Sequence, residues 1–123
     1  MTRASLTAAY RGSAYRVDGL VLRVGRRPLW PGRAAVMLTA HNPLSRRHAV
    51  GWNTRMLRAL DEWLRRHPWR EAVSGEAQWR ETQRVVEMDA RAGRALARRF
   101  RQNAMLVLKP HQPPRLVILA PGP

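Results

Sequence analysis

An α+β fold is what this sequence predicts: a mixed or antiparallel sheet with two helices, in the order β-hairpin-β-α-β-α-β-β. Three observations predict it. Asp18-Gly19 separates two short runs rich in β-formers, and Asp-Gly supplies the positive φ angles that a two-residue hairpin turn demands. Met56, Leu57, Leu60, Trp63 and Leu64 recur at the spacing of one helical apolar stripe. Three further apolar runs, 34–40, 104–108 and 115–119, are strand-length and too short for helices.

The elements follow in order. Tyr15–Val17 and Leu20–Val24 make the hairpin, Gly25–Arg33 is a Pro- and Gly-containing loop, and Ala34–Ala40 is a buried strand. A polar loop from His41 to Gly51 leads to the first helix. Asn53 stands at its N-cap, Trp52 staples onto Leu57, and Pro68 stops it. The stripe places Trp63 in the core. Trp69–Gln78 reads as loop, with a strand around Arg84–Glu87. Asp89 caps a second helix over Ala90–Arg101 that turns Ala92, Leu96 and Phe100 inward, and strands Ala104–Leu108 and Arg115–Leu119 close the chain. With 123 residues the expectation is one domain, with 1–13 and 120–123 as loosely ordered tails.

Charge is the dominant compositional signal. The chain holds 23 basic and 8 acidic residues, a formal net charge of +15, and Lys109 is its one lysine. A GC-rich genome explains arginine in place of lysine, but not the scarcity of acids. Seven of the eight acids lie between Asp61 and Asp89, so the N-terminal part is expected to carry a positive potential that attracts phosphate or acidic partners.

Several classes are excluded. Without cysteine there are no disulfides, thiolate zinc sites or cysteine nucleophiles. No apolar run approaches the ~20 residues of a spanning helix. Arg3, Arg11 and Arg16 precede any acid, as in a transit peptide, but the hairpin follows at once and leaves no processing site. A cytoplasmic location is the expectation. His41, His48, His67 and His111 lack metal-ligand spacing, and no Walker loop or dinucleotide fingerprint occurs, so neither metal nor cofactor is expected. Ser45, His48 and Asp61 could be drawn as a triad, but nothing in their spacing supports it.

Two segments carry candidate chemistry. Thr39 to His48 follows the carboxyl end of a strand and leads into a helix, where ligands tend to bind and where unpaired N–H groups favour anions. Ser45, Arg46, Arg47 and His48 would add donors there; the competing reading is a plain Asn-Pro turn with solvated arginines. On the second helix, Arg91, Arg94, Arg98 and Arg101 fall at i, i+3, i+7 and i+10. Such a stripe suits a phosphate backbone, or is simply a solvated face. Glu81 is the candidate general acid or base.

Taken in order, Tyr15, Thr39-Ala40-His41-Asn42-Pro43-Leu44-Ser45, Asn53, Trp79-Arg80-Glu81 and Phe100-Arg101-Gln102-Asn103-Ala104 resemble the bacterial family called domain of unknown function 3293. Its pattern runs Thr-Ala-x-Asn-Pro-x-Ser, Asn at a helix start, Trp-x-Glu-x-Ser, and Phe-Gly-Gln-x-Ala. The resemblance extends from about Tyr10 to Ile118, with Gln83 where the pattern has Ser and Arg101 where it has Gly. It implies that Thr39, Asn42, Ser45, Asn53, Glu81, Gln102 and Asn103 form one polar pocket; satisfied buried amides are the alternative. If the two departures touch a reactive site, this member binds without reacting.

The leading expectation is a module that binds a phosphate-bearing ligand or nucleic acid through arginines around that pocket, with Thr39, Asn42, Ser45, Arg46, Arg47, Asn53, Gln102 and Asn103 as ligand contacts. The alternatives are a small enzyme acting on an anionic metabolite or nucleotide through Glu81, and an adaptor for an acidic protein.

Overall fold

The computed structural model describes residues 2–76 and 79–119. Its sheet has seven strands, β1 (Tyr15–Val17), β2 (Leu20–Leu22), β3 (Ala35–Leu38), β4 (Trp69–Glu76), β5 (Trp79–Val86), β6 (Ala104–Leu108) and β7 (Arg115–Ile118). They lie in the order β2-β1-β4-β5-β3-β6-β7, and every pairing is antiparallel. Three helices accompany them: α1 (Arg3–Gly12), α2 (Val50–Leu64) and α3 (Ala90–Arg99). No helix among the described residues is long and apolar enough to cross a membrane.

Strand alternation sends side chains to two cores. Val36 and Leu38 of β3, Val86 of β5 and Met105 and Val107 of β6 pack with Leu60 and Leu64 of α2 and Leu96 and Ala97 of α3. The intervening residues, Ala35, Met37, Val85, Leu106 and Leu108, face the other way and meet Tyr15, Val17, Leu22 and Trp30. Residues from both ends of the sheet share this second core, so the sheet curls around it. Backbone bonds tie the curl shut where Trp30 N–H donates to Gln112 O (2.9 Å) and His111 N–H to Trp30 O (2.8 Å). Gly93 lets α3 approach β3: a Cβ there would lie 2.8 Å from Val36 Cγ1.

The fold departs from expectation in five places. Residues 1–13 were expected as a tail and the helices as two, but Arg3–Gly12 form α1, capped by the Thr2 hydroxyl that accepts from Ser5 N–H (3.0 Å). A single apolar pair, Leu6 and Tyr10, is too faint a stripe to announce a helix. The other expected tail, 120–123, lies outside the described residues. Trp69–Glu76 is a central strand rather than loop. Its inward residues Ala72 and Ser74 are small and leave no visible apolar alternation.

The third departure is α2, which starts one turn earlier, at Val50 with Ala49 as N-cap, so Asn53 is inside the helix. The fourth is Trp63, which is 52% exposed with the Arg99 guanidinium 4.3 Å above its ring. Asn53, Leu60 and Leu64 define the buried line of α2; at ~100° per residue, Trp63 sits roughly 80° from its centre. Trp52 stacks on His48, with ring centroids 5.5 Å apart, and is partly exposed. On α3, Asp89 caps the helix as expected, accepting from Ala92 N–H (2.7 Å), while Ala92 itself is exposed and Gly93 takes the inward place.

Candidate functional site

The chain leaves β3 through a turn of unusual backbone. Asn42 (φ 46°), Leu44 (φ 56°) and Ser45 (φ 60°) are all left-handed, although none is glycine. Such residues cost about 1–3 kcal/mol each and persist only where their surroundings hold them. Here Asn53 does the holding. Its Oδ1 accepts from Asn42 N–H (2.9 Å), and its Nδ2 donates to Asn42 Oδ1 (2.9 Å). Asn42 Oδ1 also receives His48 N–H (2.8 Å), and Leu44 N–H donates to Arg101 O (2.7 Å). These bonds fix the Asn42 amide: with Oδ1 facing donors, Nδ2 must point outward.

It points at Glu81. Asn42 Nδ2 donates to Glu81 Oε2 at 2.8 Å. Glu81 lies opposite Ser74 in the β4–β5 pair and, by alternation with Gln83 and Val85, faces the curled side of the sheet. There α1 roofs a cavity of about 320 Å³. Leu6, Ala9 and Tyr10 line it from α1, Ser13 from just past the end of that helix, Tyr15 and Ser74 from β1 and β4, and Asn42, Ser45, Trp79, Glu81 and Gln102 from the remaining walls. Among these described residues Glu81 alone carries a charge. Burial pushes its carboxyl up from the ordinary glutamate value, and the Asn42 hydrogen bond pulls back only part of that.

Hydroxyls surround the acid. Asn103 Nδ2 donates to Ser45 Oγ (2.8 Å), and Tyr10 OH lies 3.3 Å from the same oxygen. Tyr15 OH donates to Tyr10 O (3.4 Å). Burial raises both tyrosines; the Ser45 bond opposes this at Tyr10, and the Glu81 charge adds to it at both. His41 is lowered, first by burial and then by Arg84, and its Nδ1 accepts Thr82 N–H (3.4 Å). It is a neutral prop beneath the site. Thr39 is another, donating to Thr82 O and accepting His41 N–H (3.0 Å).

The seven family-pattern residues therefore converge, in two layers. Asn42, Ser45, Glu81 and Gln102 reach the cavity, whereas Thr39, Asn53 and Asn103 brace them from behind. Arg46 and Arg47 do not line it; both are exposed, and Arg47 stacks its guanidinium 4.9 Å from the Trp79 ring. Arg91, Arg94 and Arg98 stand exposed on α3, but Arg101 lies past the end of that helix with φ 57°, so the expected four-residue stripe has three members on the helix. No triad forms: Asp61 accepts both Arg84 Nε (2.8 Å) and Nη2 (3.1 Å), and His48 Nδ1 meets Arg46 O (2.7 Å). Among the described residues no group of three or more His, Cys, Asp or Glu could hold a metal.

The model of the family described as protein of unknown function, DUF3293, matches residues 38–105, more than half of the chain. The chain belongs to the DUF3293 family. No curated protein and no solved structure matches it. The matched span holds the strained turn, α2, β4, β5, α3, Glu81 and Gln102, but neither Tyr10 nor Tyr15, so α1 and β1 supply their part of the pocket from outside it. Both departures from the DUF3293 pattern have a structural correlate. Arg101 occupies a left-handed backbone that suits the pattern's glycine. Gln83 extends its amide from the pattern's serine position to Ser74 Oγ, at 2.8 Å, so a hydroxyl beside Glu81 comes from the neighbouring strand.

Sequence reasoning missed Tyr10, Ser74 and Trp79 as pocket residues. For Ser74 and Trp79 the signal was Gly75. It adopts φ +91°, and a Cβ there would fall 1.9 Å from Trp79 O, so glycine permits the close pairing of β4 and β5 in which Ser74 lies across from Glu81.

Proposed function

We propose that the pocket binds a small uncharged or cationic molecule and that Glu81 serves there as general acid or base. The observation that carries this reading is the lining itself, in which the half-buried carboxylate of Glu81 is the one charged group among the described lining residues. Two like charges about 4 Å apart cost about 4 kcal/mol even at an effective dielectric of about 20. A phosphate or carboxylate beside Glu81 would meet that cost with no arginine in the wall to offset it. A carboxyl raised by burial holds its proton to higher pH than an ordinary glutamate, which suits a general acid or base. Tyr10 and Ser45, in hydrogen-bonding distance of one another, add hydroxyls to the same lining.

The test begins with mass spectrometry of compounds retained by the purified protein after low- and high-salt washing. A retained uncharged or cationic compound is the expected result; a phosphorylated compound whose retention depends on pocket residues would contradict the reading. With that compound as substrate, Glu81→Gln should lower turnover by about 10²–10⁴ while the fold survives.

A second reading rests on a different surface. Arg91, Arg94 and Arg98 are exposed on α3, a helix with no acid between Ala90 and Arg99. This supports binding of nucleic acid or another polyanion, with an acidic protein as the competing partner. Phosphate contacts would show in a log–log salt slope of about −0.7 to −0.9 per contact.

A further inference from the structure

The hydrogen bonds already made in the pocket wall restrict what can complete it; this step rests on the pocket reading above. Gln102 is buried, 8% exposed, and lines the cavity. Its Nε2 donates to His41 O (3.0 Å) and to Phe100 O (3.2 Å). Both partners are carbonyl oxygens, so the amide cannot be turned round, and Oε1 is left as an acceptor. Glu81 is constrained in the same sense. Asn42 supplies one donor to Oε2, and an ionised carboxylate has about four acceptor positions. Both side chains also border a smaller recess beneath the main cavity, beside Tyr15 and Gln83.

The lining thus pairs two acceptors of locked orientation with the rings of Tyr10, Tyr15 and Trp79, and its described residues include no cation. Its volume of about 320 Å³ is at the small end of ligand pockets, which run from about 300 to 1,000 Å³. The geometry points to a ligand with a planar group that presents two neighbouring N–H donors, one to Glu81 and one to Gln102. Aromatic walls suit a flat group, and buried acceptors left unmatched discriminate against a ligand that lacks the donors. Two kinds of molecule carry this edge: a neutral heterocycle of the guanine type and an amidinium cation.

Calorimetry on the full chain tests it, with guanosine and benzamidine as the two-donor probes, inosine (one donor fewer) and benzyltrimethylammonium (the same charge, no N–H donor) as their controls, and benzoate as an anionic probe. At least one two-donor probe should bind ten times or more tighter than its control. Glu81→Gln should weaken that probe tenfold or more, because it removes the charge and turns one acceptor into a donor. Gln102→Met, checked by its melting curve, should weaken it too; if that variant does not fold, the Glu81→Gln result decides. Guanosine alone identifies the neutral ring and benzamidine alone the cation, and either supports the inference. No preference for either probe over its control overturns it. If ribose, which has no N–H donor, then binds and loses binding in Glu81→Gln, the acid–base reading of the pocket survives without this ligand class. Preferential, Glu81-independent binding of benzoate would overturn both.

Discussion

On the outer face of α3, Arg91, Arg94 and Arg98 extend into solvent from a helix without acids. Under α1, the pocket holds amides, hydroxyls and one carboxylate, and its amides are pinned by bonds that fix which end of each faces inward. The charge that dominates the composition lies outside the pocket. The difference teaches that a net charge of +15 describes the surface and its long-range field, while the cavity's chemistry is set by a few buried polar groups that composition hides. Changes to the pocket frame should therefore be costly, and changes to the arginine face cheap for stability but visible in salt dependence.

The largest expected effect is at Gly75. An added methyl group would meet Trp79 O in a backbone conformation that side chains rarely adopt, so Gly75→Ala should destabilise by about 3–5 kcal/mol, read from urea unfolding. Asn53→Leu comes next. It strips the bracket from the left-handed turn and leaves Asn42 N–H without its partner; the expected loss is about 2–3 kcal/mol. A loss below about 0.5 kcal/mol would mean that the turn holds itself.

Surface changes fall lower. Trp63→Ala should cost about 1 kcal/mol, well short of the 3–5 kcal/mol typical of a buried tryptophan, because the ring is 52% exposed. Arg91→Ala with Arg98→Ala should move stability by no more than about 0.5 kcal/mol. If nucleic acid binds here, the same pair should reduce the salt slope by about two contacts and leave pocket ligands unaffected. Weakening of a pocket ligand by this double variant would erase the distinction between the two regions.

Much of this was legible in the sequence, for identifiable reasons. The hairpin, β3, β6, β7 and most of α2 and α3 follow from turn chemistry and apolar periodicity. The convergence of Asn42, Ser45, Glu81 and Gln102 follows from the family pattern, which marks several polar residues spread along the chain beside its glycine and apolar positions. What stayed hidden was polar structure inside regular elements. Asn53 lies seven and eleven residues before Leu60 and Leu64, on the buried line of α2, and a polar residue on an apolar line marks a bracket rather than a cap. Tyr10 was missed because α1 buries one residue, Leu6, too little for a pattern. Arg46 and Arg47 were assigned to the pocket by proximity in sequence, but the strained turn directs Ser45 inward while the next two residues are exposed.

The pH dependence follows from the direction of the Glu81 shift. Its folded value is raised above the unfolded one, so its contribution to stability is full below the ordinary glutamate value and is lost as pH rises through the folded value. Glu81→Gln keeps an acceptor for Asn42 and removes the half-buried charge. At neutral pH this variant should melt at the same temperature as the parent or slightly higher, and the gap should close as the pH falls. A lower melting temperature at neutral pH would indicate a structural ion pair instead.

The most direct test follows the Glu81 carboxyl carbon itself by NMR across pH, with Glu81→Gln to assign the signal. A carboxylate enclosed with amides and hydroxyls, away from the arginines, should titrate above the ordinary glutamate value. It should also move when a two-donor ligand binds. Titration at or below that value, as expected of a carboxylate facing a guanidinium, would contradict the separation of pocket from arginine surface on which the proposed function rests.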